Sequence, residues 1–148
     1  MPKFEQVKFL PYKPEDLFKM VMDVESYPKF LPWCQASRII SRSEEGTVAE
    51  LVIKFKSITE NYSSLITNEI DDNSYSIKVI SISGIFKKLN NSWRIEGSEY
   101  GSKLEFTIDI EFKSKIYNSL IQMFFPSACS KMMQAFEKRA NDLFEISL

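Results

Sequence analysis

Histidine is absent from the 148 residues, and that omission removes more chemistry than any other feature of the chain. No Ser-His-Asp triad, Cys-His dyad or histidine-bearing metal site is possible, and the usual acid–base group near neutral pH is missing. Glycine is scarce: Gly46, Gly84, Gly97 and Gly101 are the only four, and none belongs to a phosphate-cradling loop. Two cysteines, Cys34 and Cys129, lie too far apart for a CxxC motif and read as buried thiols in a reducing compartment. No run approaches the ~18 apolar residues that span a bilayer. The first residues, Met1-Pro2-Lys3-Phe4-Glu5-Gln6-Val7, lack both the apolar core of a secretion signal and the acid-poor character of a transit peptide, so a cytoplasmic protein is expected. Neither charge is in excess: Lys+Arg 19 stand against Asp+Glu 20. DNA is therefore not an expected partner.

What the chain has is large apolar surface. Aromatics make up 14%, twelve of them Phe, within a 44% hydrophobic total. The length suits one domain, residues 1–148, with a substantial core. The most informative stretch is Tyr27-Pro28-Lys29-Phe30-Leu31-Pro32-Trp33-Cys34. Its prolines stiffen an apolar connection, and such a loop either plugs a core or rims an apolar cavity.

The periodicity gives an order of elements. Lys3–Leu10 reads as a strand with Phe4, Gln6 and Lys8 on one side and Val7 and Phe9 on the other; Pro11 ends it. Pro14, Glu15 and Asp16 suit the first turn of an amphipathic helix running to about Val24. Ser26 is expected to cap a second, very short helix that Pro32 terminates. Period-two strands follow at about 35–42, 49–56, 59–69, 75–81, 86–96 and 103–113. The turn clusters Glu44-Glu45-Gly46, Asp71-Asp72-Asn73-Ser74 and Tyr100-Gly101-Ser102 separate strands along this run. The cleanest alternation sets Leu104, Phe106, Ile108, Ile110 and Phe112 against Lys103, Glu105, Thr107, Asp109 and Glu111, as in antiparallel strands with one covered face. From Ser114 to about Ile146, Ile116, Leu120, Phe124, Ala128, Met132, Phe136, Ala140 and Leu143 predict a long helix, kinked at Pro126. This is an α+β domain: a curved antiparallel sheet of about seven strands wrapped on a long C-terminal helix, with two short helices after the first strand.

The blocks Tyr12-Lys13-Pro14-Glu15-Asp16-Leu17-Phe18, Asp23 through Cys34, Ala49 through Lys56, Gly84 through Leu89 leading to Trp93, and Met133 through Ala140 resemble a known family. It is the START-like branch of polyketide cyclase/dehydrase-type proteins that contains the coenzyme Q-binding proteins and the bacterial ribosome association toxin. Ile85 stands where members usually carry Pro, and Ser57 where they carry Gly. Ile85 is expected to loosen its turn; Ser57 argues against a backbone needing positive φ there.

The resemblance implies a helix-grip fold with an apolar cavity between sheet and helix, and a non-catalytic function. One branch implies a bound ubiquinone or related polyisoprenoid lipid, carried or chaperoned in support of respiration, with no cofactor required. The other implies binding to the large ribosomal subunit and hindered subunit joining. Expected wall residues are Leu31, Trp33, Phe55, Tyr62, Trp93, Met132, Met133 and Phe136, with Tyr62 and the Trp93 indole donating to quinone oxygens. Each of these side chains also reads as ordinary filled core. Transient contact with a membrane surface is a further expectation, placing the protein in the cytoplasm and peripheral to the inner membrane. Glu50, Glu60, Glu96 and Glu105 fall on the expected wet face, so no carboxylate stands out as a catalyst. Lys87-Lys88 with Arg94, and Lys138-Arg139, read as solvated faces.

Overall fold

The computed structural model describes residues 3–144; Met1, Pro2 and residues 145–148, including the expected helix end at Ile146, lie outside them. The chain runs β1 (Lys3–Leu10), α1 (Pro14–Met22), a 3-10 helix (Val24–Lys29), β2 (Cys34–Ser43), β3 (Gly46–Phe55), β4 (Ile58–Asp71), β5 (Ser74–Gly84), β6 (Phe86–Ser98), β7 (Gly101–Phe112) and α2 (Lys115–Leu143). All seven strands form one antiparallel sheet in the order β1-β7-β6-β5-β4-β3-β2. The expected order of elements holds throughout. Pro14 opens α1 with Glu15 and Asp16 in its first turn. The 3-10 helix differs in its cap: Asp23 is the N-cap, while Ser26 lies inside and donates to Asp23 Oδ2 at 2.6 Å.

The alternation of β7 sets the inside of the molecule. Leu104, Phe106, Ile110 and Phe112 are buried beneath α2, and their neighbours Lys103 and Asp109 pair outward with Glu105 and Lys88. On β1, Phe9 is 70% exposed and Leu10 is buried, as the two-sided reading requires. Ser114 Oγ caps α2 by accepting from the Tyr117 amide, and Asn118 bonds both backbone groups of Phe112, stapling the helix start to the end of β7. At its other end, Glu137 meets Lys8 at 2.7 Å and Asn141 accepts from the Tyr12 hydroxyl. The helix therefore crosses the concave face from end to end. It is continuous through Pro126, although the ring leaves the Gln122 carbonyl without its usual donor.

The stripe that α2 buries departs from the expected one. Phe125, Cys129, Met133, Phe136 and Ala140 face inward, whereas Ile116, Leu120 and Leu143 are exposed. The turn positions differ too. The left-handed residue between β3 and β4 is Lys56 (φ 55°), one place before Ser57. Gly84 has φ +109°, and a Cβ there would lie 2.6 Å from the Tyr62 Cα; the turn is tied across to β7 by the Lys113 amide on the Ile85 carbonyl, 3.1 Å.

Two apolar clusters result. The larger gathers α1, the middle of the sheet and the C-terminal half of α2 around Trp93, Phe106 and Phe136. The smaller holds Phe86, Leu89, Ile110, Phe112, Phe125 and Cys129 under the N-terminal half. Phe106→Ala is expected to cost about 3–5 kcal/mol in denaturant unfolding, while Phe9→Ser, on the wet side of the sheet, stays within about 0.5 kcal/mol.

Candidate ligand-binding site

Phe136 is the point at which the helix is seated. Its ring meets Tyr27, Phe30 and Trp93 edge-on, with centroids 5.5, 5.2 and 4.9 Å away, a geometry favoured by the aromatic quadrupole. The proline-stiffened connection supplies two of these rings, so it plugs this part of the cavity. The Tyr27 hydroxyl donates to the Val21 carbonyl, tying the plug to α1. Arg139 lies 5.2 Å over the Phe30 ring and covers the outside.

Beside that seat, and along α2 toward its N-terminus, the two layers do not close. An inner hollow of about 110 Å³ is bordered by Leu31, Cys34, Ser64, Asn91, Trp93 and Phe136, among others. An outer hollow of about 160 Å³ is bordered by Phe55, Ile58, Ile85, Leu120, Phe125 and Cys129, among others. Trp33, Ile53, Tyr62, Leu89, Ile108 and Met132 border both and form the partition. Leu120 is 40% exposed and also lines the outer hollow, which puts the rim between the first turns of α2 and the β3–β4 turn. There Phe124 packs on Phe55 at 5.8 Å, and the Tyr117 hydroxyl donates to Glu60 Oε1 at 3.1 Å.

The expected wall residues therefore fall as follows. Leu31, Trp93 and Phe136 border the inner hollow and Phe55 the outer; Trp33, Tyr62 and Met132 border both. Met133 borders neither: it is 1% exposed within the larger cluster, because one helical step turns it about 100° from Met132. The Trp93 indole is already committed, donating to Asn91 Oδ1 at 3.1 Å, while the Asn91 amide donates to the Thr107 carbonyl at 2.9 Å. The indole is thus not a free donor for a ligand. The hydroxyls of Tyr62 and Ser64, successive concave positions of β4, remain on the wall. Glu60 also departs from expectation. It shares the concave phase of β4, opposite Ile53, and holds Tyr117, whereas Glu50, Glu96 and Glu105 face outward and pair with Arg38, Arg94 and Lys103.

Ser64 and Asn91 escaped sequence reasoning. Both sit in the apolar phase of their strands, Tyr62-Ser64-Ile66 and Leu89-Asn91-Trp93-Ile95, and a polar residue in that phase was the available signal. Burial pushes the Tyr62 phenol well above its ordinary range, helped by nearby Cys34. The phenol stays protonated at any physiological pH and can donate to a carbonyl, which offsets the hydration a polar headgroup loses. Burial likewise pushes Cys34 up to about 11 and Cys129 up to about 12, leaving one protonated thiol beside each hollow.

A curved antiparallel sheet gripping one long helix across apolar hollows defines a START-like helix-grip domain. The chain belongs to the polyketide cyclase/dehydrase and lipid transport family, whose model matches residues 10–137. It is 43% identical, over 98% of its own length and all of the other's, to a protein of Rickettsia prowazekii named ribosome association toxin RatA. It is 29% identical to the mitochondrial coenzyme Q-binding protein COQ10 homolog B of Xenopus laevis, covering 96% of this chain and 59% of that one. A START superfamily protein from Mycobacterium smegmatis superposes with a TM-score of 0.81 at 16% identity, covering 96% and 99% of the two chains. Among the described residues, no helix is long and apolar enough to cross a membrane.

The thiols provide a first check. At mildly alkaline pH, native Cys34 and Cys129 are expected to react with a disulfide reagent at least ~100-fold more slowly than in denaturant, since the thiolate is the reactive form. Because both folded values are raised, their contribution to stability is complete below the ordinary value of 9.0 and is lost as pH rises through about 11 and 12. Alkaline unfolding curves of the Cys34→Ala and Cys129→Ala variants report that loss.

Proposed function

We propose that this protein is a non-catalytic carrier or chaperone of a ring-bearing apolar lipid, of the prenylated quinone type, acting in support of respiratory electron transfer. The observation that carries the reading is the pair of apolar hollows meeting at the Tyr62 phenol. The volumes set what fits. A dry apolar cavity of about 150 Å³ accepts one benzene-sized ring, whereas pockets for whole drug-sized ligands run from ~300 Å³. The outer hollow thus takes a bare quinone-sized ring, or one isoprene unit, without rearrangement. A longer tail either leaves past Leu120 or displaces the partition, where the flexible Met132 is the side chain best suited to yield. Burying one isoprene unit gains roughly 4 kcal/mol at ~0.8 kcal/mol per carbon, so a ring and a short tail support micromolar binding after association costs.

Titration with a short-chain ubiquinone is expected to quench the fluorescence of Trp33 and Trp93 and to slow modification of Cys129. Ala128→Phe, which puts a ring into the outer hollow, weakens that binding at least ~10-fold at a stability cost of about 1–3 kcal/mol. No quenching, together with no lipid in solvent extracts of the purified protein, would remove this reading. A second reading, ribosome association, is favoured by the 43% identity to a protein bearing that name. It requires co-sedimentation with the large ribosomal subunit and reduced subunit joining in sucrose gradients. An unchanged gradient profile rejects it.

A further inference from the structure

The near-neutral net charge of −1 conceals a segregation that only the topology reveals. In an antiparallel meander, alternate turns fall at opposite ends of the sheet. The β2–β3, β4–β5 and β6–β7 turns share one end and bring together Glu44, Glu45, Asp71, Asp72 and Glu99. The β3–β4, β5–β6 and β7–α2 connections share the other and bring together Lys54, Lys56, Lys87, Lys88, Lys113 and Lys115. The acids near this second end are engaged: Glu111 with Lys87 at 3.5 Å, Asp109 with Lys88 at 2.8 Å, and Glu60 with the Tyr117 hydroxyl. Lys54, Lys56, Lys113 and Lys115 are exposed and take part in no ion pair among the described residues.

The same end displays an apolar stripe. Ile116 is 72%, Leu120 40% and Met123 77% exposed, and their spacing puts them on one side of the first turns of α2. The helix carries no Asp or Glu before Glu137, so the stripe is bordered by lysine and uncharged polar side chains. Lysines around exposed aliphatic residues on a helix make a surface that lies at a bilayer interface.

We infer that this end of the protein docks on an anionic bilayer, with Ile116, Leu120 and Met123 entering the acyl boundary and Lys54, Lys56, Lys113 and Lys115 meeting lipid phosphates. A nucleic-acid surface fits less well. The positive charge here is lysine alone, without the planar guanidinium favoured for phosphate recognition, and its aromatics Phe55 and Phe124 pack on each other beneath Lys56 instead of offering a free face for a base. The docked orientation holds the rim at Leu120 against the membrane, so an apolar molecule passes into the outer hollow without crossing water.

Vesicle co-sedimentation tests this with phosphatidylcholine alone and with phosphatidylglycerol added. The protein is expected to pellet with the anionic vesicles only, and less so as salt rises. Each lysine near such a surface contributes about fivefold, so Lys56→Glu combined with Lys115→Glu is expected to weaken binding more than ~25-fold. Ile116→Ser combined with Met123→Ser also abolishes it; both side chains are largely exposed, and an unchanged unfolding transition shows that the fold is kept. Ala128→Phe continues to pellet, which separates this surface from the contents of the hollow. Failure to pellet with anionic vesicles, or pelleting that survives both double substitutions, overturns the proposal. So does lysine-dependent capture by ribosomal subunits in place of vesicles.

Discussion

The structure depends on a mismatch of shapes. Seven strands at about 4.8 Å spacing make a sheet roughly 29 Å across, curved around one helix only ~10–12 Å thick. A single cylinder of that width cannot cover the whole of such a sheet, so something else must fill the space. The Phe136 seat solves the problem at one end by drawing Tyr27, Phe30 and Trp93 into mutual edge-on contact. At the other end, Asn118 staples the helix to β7. Between these anchors the helix is a bridge, and the hollows are what lies under its span.

That division explains why much of the fold was legible in the sequence. Strand alternation depends on a period of two, which survives local irregularity, and it placed Leu104, Phe106 and their partners inside. The composition of the rigid run from Tyr27 to Cys34 narrowed its role to a plug or a rim, because aromatic rings between prolines have little use on an open surface. All the wall residues named from the sequence border a hollow except Met133. What could not be read was whether the space would be empty. Trp33, Tyr62 and Met132 are the right residues for a filled core and equally for a partition, and only their relative placement separates the two.

The helix was less legible for a specific geometric reason. From Ile116 to Ala140 the expected stripe advances by steps of four, and each such step overshoots a full turn by about 40°. From Ile116 to Phe136 the drift reaches roughly 200°, so the two residues face opposite sides. The sequence of buried positions corrects itself with a step of three, from Met133 to Phe136. The uncorrected N-terminal portion leaves Ile116 and Leu120 facing out, joined by Met123. Glu60 and Ser64 were hidden by the converse effect: polar residues within a covered phase look like surface until the strand's neighbours are known.

Leu120 belongs both to the exposed stripe and to the wall of the outer hollow, which links the two properties physically. Any surface that covers the stripe also changes the rim of the hollow. A ligand that fills the outer hollow supports α2 from beneath, beside Phe125 and Cys129, which hold it to the sheet there. The two events therefore act on one element. By thermodynamic reciprocity, if docking alters ligand affinity, the ligand alters docking by the same factor. The lysine end, the aliphatic stripe and the hollow have no contiguous signature along the chain. They meet because an antiparallel meander returns alternate turns to the same end and α2 begins there.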